Sequence, residues 1–238
     1  MAVAEKEAPD LAQKKSDAWT DLALTLPIFV AYHLGVAFLP VRNAADPVTA
    51  ELRSLANHSM LLYAGITLGI GVAFVVVLAM LGKRETIQKK KFVFIALEGA
   101  LYAFLMRFLG AYVVGSLRLA PNGQGGVFTS VVMSLGAGFY EEIAFRVGLF
   151  GLGALLLKKL FAKDKLKMTA LTVAWAFVGA AVFSGWHYVG PLSDPFHLQS
   201  FVFRMVCGLT LTAIYAFRGF APAVWTHALY DVWVMVLH

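Results

Sequence analysis

The sequence has little charge and almost no cysteine. Only 14% of its 238 residues are charged and 60% are hydrophobic, whereas a soluble domain carries roughly a quarter charged residues. This composition excludes a protein whose whole surface faces water. The single cysteine, Cys207, lies in an apolar segment. A disulfide framework and a cysteine metal cluster are therefore excluded, and we interpret Cys207 as a packing residue.

The excess of positive charge does not indicate a nucleic-acid-binding protein. The formal net charge is +6, but Lys and Arg occur in short clusters between apolar stretches rather than along one amphipathic face. We therefore expect no nucleic-acid partner. The Lys and Arg clusters instead indicate how the chain is oriented in a membrane.

Long apolar stretches are the main feature that the sequence does contain. A run of 18 or more apolar residues can cross a hydrocarbon core of about 30 Å as a helix. The pattern predicts an all-α, polytopic transmembrane bundle of about seven helices, with six to eight as the range. The stretches are approximately 22–40, 60–81, 92–117, 127–157, 168–189, 198–217 and 220–237.

The first residues differ from the rest of the chain. Residues 1–20 are polar and of mixed charge, with too little apolar surface to fold alone. We expect a solvated N-terminal tail at 1–20 and a transmembrane domain at 21–238. Because the first apolar stretch lacks a clear small-residue cleavage site, we expect it to be retained as a span rather than removed as a signal peptide.

Basic residues fall mainly on one side of the predicted membrane. With the N-terminus in the cytoplasm, the cytoplasmic segments contain fourteen Lys and Arg residues and the opposite connections three. Cytoplasmic loops generally hold this excess. The sequence therefore predicts a cytoplasmic N-terminus, and a Lys-rich chain without organelle signals suits a bacterial inner membrane. It does not define an oligomeric state.

Ionisable residues inside the apolar stretches are the candidate functional residues, because each costs about 3 kcal/mol at membrane depth unless it has a partner or a function. In the fourth stretch, Glu142 and Arg146 are four residues apart and can neutralise each other on one helix face. Glu141 is about 140° around a helix from Arg146 and lacks that partner. The adjacent glutamates should therefore have different roles.

Two further stretches contribute histidines. The fifth contains Phe183 and His187, and the seventh contains His227 and Asp231. The four-residue spacing of His227 and Asp231 brings imidazole and carboxylate to one helix face. In a span with no other charged residue, this pair indicates a polar site inside the bundle.

Together these residues resemble the motifs of the CAAX-protease and bacteriocin-processing membrane peptidases, also called the Abi or CPBP family, which are related to prenyl-protein CAAX endopeptidases. The family pattern is Glu-Glu-x-x-x-Arg, Phe-x-x-x-His and His-x-x-x-Asn or Asp, on separate transmembrane helices in that order. The resemblance covers about residues 127–237 and does not extend to residues 1–90. Here the motifs are Glu141-Glu142…Arg146, Phe183…His187 and His227…Asp231.

The resemblance implies an intramembrane endopeptidase that cleaves near the C-terminus or membrane segment of a membrane-associated protein or peptide. It implies Glu141 as the general base on water, His187 as a residue that helps to hold this water, and His227 with residue 231 at the oxyanion. Eukaryotic CAAX endopeptidases typically carry Asn where this chain has Asp231. An ionised Asp cannot donate a hydrogen bond, so Asp231 either stays protonated or orients His227.

Alternatives to this interpretation remain at the level of sequence. We interpret Glu142 and Arg146 as a structural pair, and we favour chemistry without a cofactor. The alternative is a zinc ion bound by Glu141, His187, His227 and Asp231. A non-enzymatic immunity factor or scaffold, and a transporter whose buried acids relay protons, are the alternative functions.

Helix lengths and the remaining buried charges lead to further expectations. The fourth stretch has 31 residues, about half as long again as one span requires, so it should tilt, kink or project. By simple counting His187 and His227 lie at different depths. A kinked fourth helix and a connection at 190–195 that dips into the protein would bring them together. We expect Arg107 to pair with Glu98 or another acid, and the alternative is that it receives a substrate carboxylate.

Overall fold

The computed structural model describes residues 18–81, 89–115, 126–161, 163–190 and 193–236. All regular structure in these ranges is helical, which confirms the predicted all-α bundle. Residues 1–17, most of the predicted tail, lie outside the described residues. The helices are α1 (Ala18–Val36), α2 (Val48–Leu55), α3 (Met60–Leu81), α4 (Lys89–Val114), α5 (Val127–Gly136), α6 (Leu152–Phe161), α7 (Lys165–Trp186), α8 (Leu198–Arg218) and α9 (Phe220–Val236).

Each of the seven predicted stretches corresponds to a helix or to one continuous helical path. The short helix α2 was not predicted, because its eight residues include Glu51 and Arg53 and form no apolar run. Helices α4, α7 and α8 are long and apolar enough to cross a membrane, and α1 and α3 contain shorter apolar helices in the part of the chain that the structure covers. The protein is therefore a multi-pass membrane protein.

The fourth stretch forms a single helical path from α5 to α6. Between them lie two π-helical segments, Ala137–Glu141 and Ile143–Gly151. A π-helical turn bonds each residue to the fifth along the chain, is uncommon, and often occurs at functional sites. In this protein both glutamates of the first motif lie in or between the π-helical segments.

Helix α9 lies at the centre of the bundle, where it packs against α1, α4, α5 and α8. Its first turn is held by α1, because the Phe220 N–H donates to Asp21 Oδ2 at 2.7 Å. Gly138 allows the first π-helical segment to approach α9 closely. A Cβ at Gly138 would lie 2.6 Å from Ala228 Cβ, so only glycine permits this approach without movement of a helix.

Of the partners expected for Arg107, Glu98 or another acid, Glu98 is the wrong one. Glu98 instead binds Arg218 at the end of α8, with its carboxylate oxygens 2.6 and 3.1 Å from Nε and Nη2. Glu98 and Arg107 are nine residues apart on α4, which places them about 180° apart around the helix. Arg107 lies against α9, with its guanidinium 5.7 Å from the centre of a Trp233 ring.

Candidate active site

Glu142 is fully buried and uses both carboxylate oxygens within the protein. Its Oε1 accepts a hydrogen bond from His227 Nδ1 at 2.7 Å. Its Oε2 forms an ion pair with Arg146 Nε at 3.1 Å. The sequence predicted the pair with Arg146, but nothing in the spacing of the motifs indicated the bond to His227. Glu142 therefore links α9 to the π-helical part of the fourth stretch.

Glu141 is also buried, with only 6% of its surface exposed, but its two oxygens have different surroundings. Asn43 Nδ2 donates to Oε1 at 3.0 Å. Oε2 has no hydrogen-bond partner among the described residues. This oxygen lies 4.0 Å from His227 Nε2, which is too far for a direct hydrogen bond. Glu142 Oε2 also has no hydrogen-bond partner among the described residues, but it lies 3.1 Å from Arg146 Nε, so the two glutamates differ in the close cation beside Glu142.

Both motif histidines use Nδ1 to contact the protein. The Nδ1 atom of His187 lies 3.0 Å from the carbonyl oxygen of Phe183, and a carbonyl can only accept, so Nδ1 carries the proton. His227 likewise directs Nδ1 at Glu142. Nε2 of each ring is therefore left for the site. The charge of Glu141 interacts electrostatically with both rings.

The ring of Phe183 lies next to residues of all three motifs. Its centre lies 5.2 Å from that of His187 and 5.8 Å from that of His227, both with edge-to-face geometry. The guanidinium of Arg146 lies over the same ring at 4.3 Å, a cation–π distance. The two histidines thus meet at one aromatic side chain, although counting along the helices suggested different depths.

The connection after His187 is described in part. Pro191 and Leu192 lie outside the described residues, so the predicted dip of this connection stays a prediction. Asp194 N–H donates to the carbonyl oxygen of His187 at 2.9 Å. Its carboxylate lies 2.5 Å from Arg204 Nη2. The end of α7 that carries His187 is therefore fixed to α8.

Asp231 lies beside the outer nitrogen of His227 rather than behind its ring. Its Oδ2 is 3.6 Å from Nε2, whereas Nδ1 is held by Glu142. The orientation of the His227 ring therefore depends mainly on Glu142 rather than on Asp231. Asp231 Oδ2 and Glu141 Oε2 therefore both lie within 4.0 Å of His227 Nε2.

The donor set of the site does not converge as a metal centre. Two His and two carboxylate side chains are suitable zinc ligands by type. In the ranges that the structure describes, no three His, Cys, Asp or Glu side chains are arranged to hold a metal ion.

Residues before the three motifs complete the site, and sequence reasoning did not identify them. Asn43 binds Glu141. His33 is fully buried, with Nδ1 2.9 Å from the Tyr63 hydroxyl and Nε2 2.6 Å from that of Tyr140. Asn43 follows an apolar stretch in a segment rich in turn residues, and no spacing relates it to Glu141. Only the folded chain brings them together.

Comparison with known proteins agrees with this geometry. A family model described as Rce1-like, type II CAAX prenyl endopeptidase, matches residues 123–233. The match contains all three motifs. Residues 123–233 are therefore similar to a family of membrane-embedded CAAX prenyl endopeptidases. No match was found among curated proteins or solved structures.

Proposed function

We propose that the protein is an endopeptidase that hydrolyses a peptide bond near the C-terminus or membrane segment of a membrane-associated protein or peptide, with Glu141 as the general base. The observation that carries the proposal is the contrast between the glutamates. Glu142 Oε1 accepts from His227, and Glu142 Oε2, which has no hydrogen-bond partner among the described residues, lies 3.1 Å from the Arg146 cation. Glu141 Oε2 also lacks a hydrogen-bond partner there, but it lies 4.0 Å from His227 Nε2 and has no such close cation. A general base needs a carboxylate oxygen of this kind.

The proposed reaction begins with a water molecule between Glu141 Oε2 and the histidines. Glu141 Oε2 accepts a hydrogen bond from this water, and His227 Nε2, 4.0 Å from Glu141 Oε2, faces the substrate carbonyl beside it. Glu141 takes a proton from this water while the water oxygen attacks the scissile carbonyl carbon. His187, with Nδ1–H bonded to Phe183, orients the water through Nε2. The proton on Glu141 then passes to the leaving amine as the C–N bond breaks.

His227 is proposed to stabilise the oxyanion. With both ring nitrogens protonated, it donates to Glu142 through Nδ1 and to the developing oxyanion through Nε2. Glu142 holds the ring in position and Asp231 supplies a second group beside Nε2 at 3.6 Å. We propose that Asp231 acts in its protonated form, because only a carboxylic acid can donate to an oxyanion.

The proposed chemistry is independent of a metal cofactor, and a zinc-dependent reaction at the same residues is the alternative. The protein is proposed to lie in a bacterial inner membrane with its N-terminus in the cytoplasm. The charge distribution in the connections supports this orientation, since cytoplasmic loops carry the excess of Lys and Arg.

Peptide cleavage in liposomes tests the proposal. The purified protein is incubated with quenched fluorescent peptides that end in a Cys-aliphatic-aliphatic-X sequence, with and without an isoprenyl group on the Cys. We expect Glu141→Gln and His187→Ala to lower kcat by at least about 100-fold, a typical contribution of general acid–base catalysis. Two peptides, with and without the lipid, also determine whether the substrate must be lipidated.

Two control variants match these changes. His197 is an exposed histidine close to the site in sequence, so His197→Ala should retain activity. Glu98→Gln removes a carboxylate that lies in the membrane region but contacts Arg218 rather than the candidate active site. This variant should also cleave the peptides at the wild-type rate. Full activity of both Glu141→Gln and His187→Ala would refute the proposed mechanism.

A further inference from the structure

Asn43 is the one described side chain that donates a hydrogen bond to Glu141. It lies in the connection between α1 and α2, far outside residues 123–233 that match the family. Its Nδ2 is 3.0 Å from Glu141 Oε1, and both side chains are buried. A hydrogen bond to an ionised group is among the stronger bonds in a protein. The contact therefore bears directly on the proposed base.

A second bond of Asn43 determines which way its amide points. The backbone N–H of Ala45 donates to Asn43 Oδ1 at 2.8 Å. Because an N–H group can only be bonded by the amide oxygen, Nδ2 must face Glu141. The amide thus acts as a donor to Glu141, and a flipped amide would lose both bonds.

The loop that carries Asn43 is fixed by a buried carboxylate. Asp46 Oδ1 accepts from the backbone N–H groups of Val48 and Thr49 at 2.8 and 3.0 Å, at the start of α2. Its Oδ2 accepts from the Tyr32 hydroxyl at 2.7 Å and from the Thr49 hydroxyl. The Tyr32 oxygen in turn accepts from the backbone N–H of Asn43 at 3.1 Å. Helices α1 and α2 therefore hold Asn43 in place.

We propose that Asn43 is a positioning residue for Glu141, which makes the catalytic site dependent on the segment before the family-matched domain. This inference rests on the proposed function. By binding Oε1, Asn43 fixes the carboxylate so that Oε2 faces the histidines, and it favours the ionised form that can accept a proton from water. The site would thus be incomplete in a chain that contained the three motifs alone.

The variant Asn43→Asp separates this role from a role in the loop. Asp has the size of Asn and retains the oxygen that accepts from Ala45, but an ionised Asp has no donor for Glu141. We expect kcat to fall by about 10- to 100-fold, the rate equivalent of losing a hydrogen bond to a charged group, with KM changed less than twofold. The acidic limb of the pH–rate profile should move to higher pH, because a second carboxylate disfavours ionisation of Glu141.

Thr212→Val is the control, because it removes a buried hydroxyl that bonds to the carbonyl oxygen of Gly208 within α8 rather than to Asn43 or Glu141. It should keep the kcat and pH profile of the folded protein. Equal specific activity of Asn43→Asp and wild type, after correction for the folded fraction, would overturn the proposal. So would an unchanged pH profile in a variant with reduced kcat.

A stability measurement tests the contact without any substrate. Asn43→Asp should lower Tm because two carboxylates then face each other, and adding Glu141→Gln should restore it, because the Gln amide can donate to Asp at position 43. An additive effect of the two changes would overturn the proposal whatever the activity shows. If instead wild type cleaves no peptide while this coupling is present, the proposed function fails and the Asn43 contact stands.

Discussion

Replacement of Glu142 by Gln should destabilise the protein far more than the same change at Glu141. Glu142 is fully buried and neutralises Arg146, whose side chain is only 1% exposed. After Glu142→Gln, the guanidinium would remain buried with its Nη1 and Nη2 donors lacking acceptors among the described residues. Removing one partner of a buried ion pair leaves an uncompensated charge.

The expected magnitude follows from this burial. Loss of one partner of a buried ion pair typically costs about 3–5 kcal/mol of unfolding free energy. For a chain of this size each kcal/mol corresponds to a Tm decrease of about 2–4 °C. We therefore expect Glu142→Gln to lower Tm by between about 6 and 20 °C. Glu141→Gln removes a buried carboxylate oxygen without a partner, so Tm should be unchanged or higher, as at many catalytic residues.

Thermal unfolding of the purified variants in one detergent, followed by tryptophan fluorescence, measures both effects. The double variant Glu142→Gln with Arg146→Gln is the control for the ion pair. It removes the cation together with its partner, so we expect it to recover part of the lost Tm. Equal Tm values for the Glu141 and Glu142 variants would refute the distinction between the two glutamates on which the mechanism depends.

Three further predictions concern the same site. Asp231→Asn should retain at least a tenth of wild-type kcat, because its amide can donate to an oxyanion, whereas Asp231→Ala should lose about 100-fold or more; low activity of both would contradict a donor role. Gly138→Ala should cost about 1–3 kcal/mol of stability and reduce kcat, because the added Cβ would clash with Ala228. Gly179→Ala is the control. A Cβ there would have its nearest neighbour at 3.9 Å, so this variant should be neutral in a paired urea or thermal unfolding assay. Incubation with a strong chelator, with metal analysis by mass spectrometry, should leave kcat unchanged; inhibition that added zinc reverses would favour the zinc-dependent alternative.

The sequence by itself determined the class of the fold and the identity of the motifs. Apolar stretches of membrane length define helices because an unbonded backbone is too costly in lipid. The three motifs are short, lie on separate stretches and follow a fixed order. Within one helix, the four-residue spacing of Glu142 and Arg146 also predicts their ion pair, which the structure contains.

Spacing failed where partners come from different helices. Glu98, one of the partners expected for Arg107, lies on the opposite face of α4 and is instead bound by Arg218 from α8. The meeting of His187 and His227 at Phe183 likewise depends on how α7 and α9 pack. Local periodicity contains no information about such packing.

Only the tertiary structure decided which atoms surround each carboxylate oxygen of the two glutamates. The sequence contains two adjacent acids and distinguishes them by one ion pair. Close packing of the π-helical segment on α9 at Gly138 brings Glu142 to His227, and the loop before α2 brings Asn43 to Glu141. The partners of Glu141 and Glu142 are 98 and 85 residues away along the chain. Contacts at such separations arise from the folded bundle and not from any local pattern.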